Sequence, residues 1–261
     1  MDTGNQHQID RLIASRNGDV AIIFLSGPTS LNTPLSTLRQ YDTICVNGSA
    51  DYLIINDITP FIYLVTDHNY FIRNTESFFH QAKAARHVVV SKELYDVAKH
   101  RYSERLSALQ PIIIHRACKS KKGGLKNYLK LKLKYRNCDM ISYTAPLSKK
   151  GTIQGYSRDI RLGYFHTRTV AYAGIQLTET LGYKTVCFSG LDMTGSKGRF
   201  YEQKGSRLEK TSLDEDLDNI LDGLNWMKTF SKMKVFNLSN DTRVPYELVP
   251  FADSVEDTND H

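Results

Sequence analysis

The chain has 261 residues, and 41% of them are hydrophobic, which is enough to bury a sizeable core and excludes a globally disordered chain. Its formal net charge of +6 at pH 7 favours an acidic partner, such as a nucleotide, a nucleic acid or an anionic membrane surface. No run approaches the roughly 18 apolar residues of a membrane-spanning helix and no apolar signal segment opens the chain, so we expect a cytoplasmic protein.

Seven short apolar runs rich in Ile, Val, Phe and Tyr are predicted to be β-strands. The runs are mostly continuous rather than alternating, which is typical of strands that are covered on both faces in a parallel sheet. They lie at residues 20–26, 43–47, 61–66, 87–91, 111–115, 185–189 and 235–238.

Helical patterns separate these runs, and the alternation predicts an α/β fold with a doubly wound, mostly parallel, Rossmann-like sheet. Residues 252–261 are acidic and polar, and we expect them to form a flexible tail. The predicted helices are one capped by Thr33 with Pro34 in its first turn, one over 69–85, one over 92–106, one over 167–181 that ends at Gly182, and one opened by a capping box from Ser212 to Glu215.

Residues 116–163 interrupt the alternation and are predicted to form a basic helical insertion or lid, with 1–115 and 164–251 forming the sheet domain. The basic part of this insertion can contact an anionic membrane or a phosphorylated lipid, track a nucleic-acid backbone, or simply be a solvated lysine-rich face. The lysines singled out for acceptor or membrane contact are Lys119, Lys121, Lys122, Lys126 and Lys130.

Small polar residues follow several predicted strands. Because the carboxyl ends of parallel strands share one edge of a sheet, these residues are expected to meet in one cleft, where hydroxyls and amides can bind phosphate or sugar. Neither G-x-x-x-x-G-K-[ST] nor G-x-G-x-x-G occurs, so a P-loop or a dinucleotide fingerprint is not supported. The residues are Ser26, Gly27, Pro28 and Thr29, then Asn47 and Gly48, and later Ser189 and Gly190.

Three titratable residues are candidates for a general base. Asp67 and Asp192 follow predicted strands, where a carboxylate can take a proton, grip a sugar hydroxyl or merely cap the next turn. His166 precedes a predicted helix, and it can act as a base or as a structural hydrogen-bonding residue. Beside it, Thr167 and Arg168 are placed to bind an anion at the start of that helix.

Five separated segments carry a resemblance to a known family. Together and in order, from about residue 20 to residue 251, they resemble the RfaZ/WaaZ proteins of lipopolysaccharide core biosynthesis. That resemblance implies transfer of a third Kdo, an eight-carbon keto-sugar acid, from CMP-Kdo to the lipopolysaccharide inner core. The segments read FLSGPTSLNTPLSTLRQYDTICVNGSADYL, PFIYLVTD, APLSKKGTIQGYSRDIRLGY, VCFSGLDMTGSKGRFY and VFNLSNDTRVPYELVPF.

The strand-end pattern also resembles bacterial sialyltransferases that use CMP-sialic acid, another CMP ester of a keto-sugar acid. This second resemblance implies a donor cleft lined by the residues after the first two strands and closed by Ser189, Gly190 and Asp192. Those sialyltransferases carry a catalytic histidine after the last of these segments. Here no histidine follows Asp192 until His261, so the base must come from elsewhere.

The resemblance to WaaZ implies a glycosyltransferase that acts on the lipid A–core oligosaccharide, and we expect a Kdo residue as acceptor. Because a sugar-acid nucleotide can depart without a metal, we predict a metal-independent single displacement with inversion at the anomeric carbon. No cofactor beyond the donor CMP-Kdo is expected, and no C-x-x-C pair indicates a metal site. Asp67 and His166 are the first candidates for the base, followed by Asp192, and Arg168, Tyr164 or Tyr201 could contact the leaving phosphate. We expect a peripheral protein at the cytoplasmic face of the inner membrane that does not bind nucleic acid.

Two alternatives stay open from the sequence. One is a non-enzymatic basic module that binds anionic lipid or RNA, and the other is a CMP-sugar transferase for a different sugar acid.

Overall fold

The computed structural model describes residues 3–119, 122–194, 198–201 and 213–259. Seven parallel strands form one sheet, in which the strands, numbered in chain order, follow one another as 5-4-3-2-1-8-9, and two antiparallel strands form a separate hairpin. All seven predicted strands are therefore confirmed as one parallel sheet. The strands are β1 Val20–Phe24, β2 Asp42–Val46, β3 Ile62–Val65, β4 His87–Ser91, β5 Ile112–Ile114, β6 Ile141–Thr144, β7 Gln154–Ser157, β8 Thr185–Ser189 and β9 Lys234–Asn237.

Helices cover both faces of this sheet, as the predicted α/β fold requires. The β-strand residues alternate between two hydrophobic clusters. Ile23 belongs to a cluster with the helices at 3–14, 170–181 and 213–230 on one face, and Ile22 belongs to a cluster with the helices at 50–55, 75–84 and 92–109 on the other. The helices are α1 Thr3–Ala14, α2 Leu35–Gln40, α3 Ala50–Ile55, α4 His68–Arg73, α5 Thr75–Ala84, α6 Lys92–Leu109, α7 Leu125–Lys134, α8 Val170–Leu181 and α9 Leu213–Phe230.

Four predicted helix boundaries differ from the structure, and one of them is the end of the helix expected over 92–106, which extends to Leu109. The helix expected over 69–85 is two helices, because Asn74 has a non-helical backbone (φ −128°, ψ 40°) between α4 and α5. Thr33 does not cap α2; Pro34 occupies the cap position, and the hydroxyl of Thr33 lies 2.7 Å from Ser189 Oγ. Helix α8 begins at Val170 rather than at 167, because Arg168 has φ +67°. The predicted capping-box residue Ser212 lies outside the described residues.

The insertion at 116–163 packs directly on the sheet domain. Leu131, Ile141 and Tyr156 belong to the same buried cluster as the residues of α8, so their apolar surface joins the main core. Fully buried Gln176 on α8 accepts backbone N–H bonds from Ser157 at 3.1 Å and Phe165 at 2.9 Å. The carboxamide of Gln176 therefore ties the end of the insertion to α8.

The flexible tail predicted for 252–261 is wrong for its described part. Ala252 N–H donates to Asn237 O at 3.0 Å, which extends the edge of the sheet past the last strand. Val255 and Thr258 are each 1% exposed: Val255 belongs to the second hydrophobic cluster, and Thr258 lies in a short 3-10 turn at Glu256–Asn259. Within the described ranges, no helix is long and apolar enough to cross a membrane.

Candidate functional site

The direction of strand addition reverses at β1. The chain builds outward from β1 through β2, β3, β4 and β5, and then returns to the other side of β1 to add β8 and β9. Open α/β sheets bind ligands in the crevice outside the carboxyl ends of the strands at such a reversal. The ends of β3, β2, β1 and β8 are consecutive along this edge and span about 14 Å at about 4.8 Å per strand. The segments that carry the predicted strand-end residues therefore lie side by side.

Two glycines bring the segments after β1 and β8 into direct backbone contact. A Cβ atom on Gly27 would lie 2.6 Å from Asp192 Cγ and closer still to the carbonyl oxygen of Gly190. A Cβ atom on Gly190 would lie 2.7 Å from Ser30 Cβ, and Gly190 also has φ +80°, which favours glycine. Any larger residue at Gly27 would force these two segments apart.

Asp192 joins the same two segments through its carboxylate. Thr29 N–H donates to Asp192 Oδ2 at 2.9 Å, and the hydroxyl of Thr29 donates to Asp192 Oδ1. The hydroxyl oxygen of Thr29 is also 2.7 Å from Ser239 Oγ, after β9. Thr29 has one hydroxyl proton, and it is donated to the Asp192 carboxylate, which can only accept. The Ser239 hydroxyl must therefore donate the hydrogen bond between Ser239 and Thr29. The ends of β1, β8 and β9 are thus joined in one polar network.

This network argues against Asp192 as the general base. Both of its carboxylate oxygens accept hydrogen bonds from Thr29, and the residue is only 2% exposed. Its own carbonyl accepts Arg243 N–H at 2.9 Å, which fixes the backbone as well. This geometry favours a positioning role for Asp192, in which it holds the turn at Pro28–Asn32 against β8, over the predicted catalytic role.

A double-mutant cycle tests this positioning role. We expect Asp192→Ala and Thr29→Val each to lower the free energy of unfolding by about 1–3 kcal/mol, because each leaves buried polar groups unpaired. Their combination should fall short of additivity by about 1 kcal/mol or more, since both remove the same bonds. Urea unfolding measures all three values. Thr33→Val is the matched control, because its hydroxyl contacts Ser189 rather than Asp192 and should add to Asp192→Ala within about 0.5 kcal/mol. Full additivity of Thr29 and Asp192 would contradict the assignment.

The end of β2 presents a buried acceptor beneath an aromatic ring. Asn47 has φ +48°, and its side-chain oxygen is buried without a hydrogen-bond partner among the described residues. A Cβ atom on Gly48 would lie 2.8 Å from the ring of Tyr201, so that ring lies directly over this glycine. The adjacent Phe200 N–H donates to Ser26 O at 3.1 Å. The segment of Phe200 and Tyr201 therefore covers the carboxyl ends of β1 and β2.

Asp67 lies at the end of β3 and is exposed to solvent. Its Oδ1 atom accepts a hydrogen bond from Asn69 N–H at 2.9 Å, so Asp67 caps α4, which is the structural role that the sequence also allowed for it. Capping uses one lone-pair direction of one oxygen, and the carboxylate remains open to solvent at the edge of the cleft. Asp67 is thus the exposed acid of the two that were predicted at this edge.

The segment 166–169 precedes α8, whose amino end lies at the same edge because α8 leads back into β8 antiparallel to the strands. Arg168 is exposed and its Nε atom lies 3.4 Å from Asp216 Oδ1, so its charge is already partly compensated. His166 is half-buried, and Thr167 packs against Gly223 of α9. Tyr164, a predicted phosphate contact, is 0% exposed, and burial raises its pKa to about 12 against the opposing effect of Arg116. Its phenol is therefore too deep to contact a ligand.

The predicted lysine surface lies on the insertion, which begins and ends at this edge of the sheet. Ala117 N–H donates to Tyr164 O, and Tyr164 N–H donates to His115 O, both at 2.8 Å, just beyond the carboxyl end of β5. Lys119, Lys122, Lys126 and Lys130 are exposed, and Lys121 lies outside the described residues. In the part of the chain that is described, no three His, Cys, Asp or Glu side chains form a group that could hold a metal ion.

Sequence reasoning missed the contribution of the β9 end. Asn237 Oδ1 accepts Ser239 N–H at 3.0 Å, and both residues are fully buried. The search for small polar residues at the ends of predicted strands would also have found this segment, because Asn237, Leu238 and Ser239 end or follow an apolar strand in the same manner. Phe200 carried no such signal, because its segment follows no strand directly.

Comparison with known proteins gives a consistent result over nearly the full length. A family model for the 3-deoxy-D-manno-octulosonic acid transferase WaaZ matches residues 4–255. A probable 3-deoxy-manno-octulosonic acid transferase of Salmonella typhimurium strain LT2 is 38% identical over 250 residues, covering 94% of this chain and 91% of that protein. Its counterpart of the same description in Escherichia coli strain K12 is 37% identical over 249 residues, covering 95% and 87%.

Among solved structures, the MAf glycosyltransferase from Magnetospirillum magneticum AMB-1 is similar over 88% of this chain but only 33% of its own, with 12% identity and a TM-score of 0.46. That likeness is too distant to support an argument. The family match does support an argument, because it spans the whole sheet, the insertion and the edge described above. It confirms the resemblance seen in the sequence: the chain belongs to the WaaZ family of 3-deoxy-D-manno-octulosonic acid (Kdo) transferases.

Proposed function

We propose that this chain transfers Kdo from CMP-Kdo to a Kdo residue of the lipopolysaccharide inner core, with inversion at the anomeric carbon and without a metal ion. Family membership supports Kdo transfer. The observation that carries the choice of site is the closure of the β1 and β8 ends by Gly27, Gly190 and Asp192 at the reversal point of the sheet.

The donor is proposed to lie over β1 and β2. Ser26, Gly27, Pro28, Thr29 and Asn47 are half-buried at the mouth of the edge, where they can contact the phosphate and the nucleoside. Gly48, Ser189 and Gly190 are buried, so they form the floor instead of contacting the donor through side chains. The hydroxyl of Ser189, for example, is 2.7 Å from Thr33 Oγ1.

The reaction is a single displacement. A hydroxyl of the acceptor Kdo attacks the anomeric carbon of the donor, the bond to the CMP phosphate oxygen breaks, and CMP leaves with the bonding electron pair. A general base takes the hydroxyl proton, and Asp67 and His166 are proposed for this role. We propose that the backbone N–H groups of Ser26 and Gly27 and the guanidinium of Arg168 stabilise the charge that grows on the leaving phosphate. A phosphate-bearing leaving group of this kind departs without metal assistance in principle.

The acceptor is proposed to approach from the insertion. Lipid A–core oligosaccharide carries phosphates and carboxylates, and the exposed lysines of 116–136 provide complementary charge at the edge that holds the donor. An enzyme that acts on this acceptor would have to reach the cytoplasmic face of the inner membrane, and we include this localisation in the proposal.

Nucleotide-dependent thermal stability is the direct test. We expect CMP at about 100 times its Kd to add about 2.7 kcal/mol to the free energy of unfolding and to raise Tm by roughly 5–10 °C. UDP and ADP at the same concentration should raise it far less. A basic lipid- or RNA-binding module would show no response to CMP, which would refute the proposal. Turnover with CMP-Kdo but not with CMP-sialic acid separates the proposed donor from another sugar acid.

A further inference from the structure

Helix α7 carries an exposed stripe of leucines. Leu125, Leu129 and Leu133 are 61%, 47% and 76% exposed, although burying such side chains is normally favourable. At about 100° per residue they fall within an arc of about 80°, and the centre of that arc is about 160° from Leu131. Leu131 is 2% exposed and anchors the helix to the core. The stripe therefore faces directly away from the protein.

A turn held against the start of α7 carries a fourth exposed leucine. Leu147, between β6 and β7, is 62% exposed. Backbone bonds of 2.7 Å from Gly124 N–H to Pro146 O and from Gly123 N–H to Gly151 O hold that turn against the start of α7. The leucine surface, defined as Leu125, Leu129, Leu133 and Leu147, is thus presented by two elements that are fixed to each other.

Positive charge surrounds the leucine surface. Lys132 flanks the stripe on one side, and Lys126 and Lys130 flank it on the other, at about 20–60° from its edges by the helical geometry. Lys149 and Lys150 lie on the turn beside Leu147, and all five lysines are exposed. Between residues 116 and 158 the sequence contains a single acidic residue, Asp139.

We propose that the leucine surface inserts into an anionic phospholipid bilayer, with the surrounding lysines at the level of the lipid phosphates. An apolar stripe with basic flanks has the composition of helices that lie in the plane of a membrane. A second copy of this chain would oppose lysine to lysine, and a nucleic acid would leave the leucines exposed to water. Membrane insertion of this surface would explain how the enzyme reaches a lipid-anchored acceptor. That explanation rests on the proposed function, whereas the binding to the bilayer does not.

Vesicle co-sedimentation of the full chain tests the proposal. Wild type should bind phosphatidylethanolamine vesicles that contain phosphatidylglycerol and bind poorly to neutral phosphatidylcholine vesicles. The L125Q/L129Q/L133Q variant should lose at least about tenfold in partitioning to the anionic vesicles. The K126Q/K130Q/K132Q variant should lose about 100-fold, since each lysine near an anionic surface contributes about 1 kcal/mol.

Matched controls distinguish binding through this surface from nonspecific binding to vesicles. I55Q/V97Q removes exposed apolar residues on other helices, and K83Q/K99Q/K234Q removes the same charge elsewhere. Both should bind vesicles like wild type. Wild-type binding by the leucine variant would overturn the proposal, as would absence of vesicle binding by wild type. A leucine-dependent dimer in light scattering without vesicle binding would also overturn it, in favour of a second copy as partner.

Enzymatic assays separate this proposal from the proposed function. The leucine variant should turn over a deacylated, water-soluble acceptor at the wild-type rate and lose turnover only on acceptor embedded in vesicles. If wild type binds anionic vesicles through the leucines but transfers Kdo to neither acceptor, the docking surface stands and the proposed function fails. An equal loss of turnover on both acceptors would show that the leucines support the fold or the site rather than membrane docking.

Discussion

Gly27→Ala is expected to lower kcat/KM for Kdo transfer by about 100-fold or more and to lower the free energy of unfolding by about 1–3 kcal/mol. The new methyl group would lie 2.6 Å from Asp192 Cγ and Oδ2 and even closer to the backbone of Gly190. Neither neighbour can move easily. The carboxylate of Asp192 is held by two hydrogen bonds from Thr29, and the contact at Gly190 is with a backbone carbonyl oxygen rather than a flexible side chain. The segment after β1 must therefore shift, and with it every group proposed to contact the donor phosphate. Steady-state kinetics and urea unfolding measure the two effects.

A second glycine provides the control for stability. Gly18 has φ +74°, and a Cβ atom there would meet no atom within 4 Å. Gly18→Ala should therefore lose about 1 kcal/mol through backbone strain alone and retain wild-type kinetics. Full activity in Gly27→Ala would mean that the β1–β8 closure does not shape the site. Equal activity losses in both variants would mean that activity follows stability alone.

The architecture follows from local patterns in the sequence, which is why the sheet could be predicted strand by strand. Residues such as Ile22 and Ile23 are apolar on both faces of β1, and this double burial leaves an unmistakable continuous run. The site was predicted only as a set of strand ends. Their order along the edge depends on which side of β1 receives β8, and no local pattern encodes that choice.

The roles of individual site residues depend on contacts between distant parts of the chain. Asp192 and Asp67 look alike in sequence, since both follow an apolar strand and a small polar residue or turn. In the structure, Thr29 lies 163 positions away and occupies both oxygens of Asp192, whereas Asp67 accepts a local hydrogen bond from Asn69 and stays exposed. Burial and partner choice, rather than residue type, separate a positioning acid from a candidate base.

The same reasoning explains why the tail was predicted incorrectly. Residues 252–259 are polar on average, and composition alone indicates fraying. Three spaced residues, Ala252, Val255 and Thr258, carry the contacts that bury the segment, and Asn237 receives its first backbone bond. Three buried positions among residues 252–258 are too few to change a composition-based prediction.

Asp67→Asn is expected to lower kcat by about 10²–10⁴-fold, the range that general bases contribute, while leaving the fold intact. Asparagine also caps helices well, so the bond from Asn69 N–H is preserved and the free energy of unfolding should change by less than about 0.5 kcal/mol. The substitution thus removes the proton acceptor without removing the cap. Asp57→Asn is the matched control, because Asp57 is an exposed aspartate with φ +55°, a conformation that asparagine tolerates, before β3 rather than after it.

His166→Gln completes the comparison, because it tests the rival base with a residue that retains hydrogen-bonding capacity. If Asp67 takes the proton, His166→Gln should change kcat by less than about tenfold, whereas Asp67→Asn should fall by at least about 100-fold with KM for CMP-Kdo nearly unchanged. The opposite pattern would transfer the role to His166, which precedes α8 on the same edge. Wild-type kcat in both variants would remove both residues from the proton transfer and leave the acceptor hydroxyl to be activated by another group at the ends of β1 to β3.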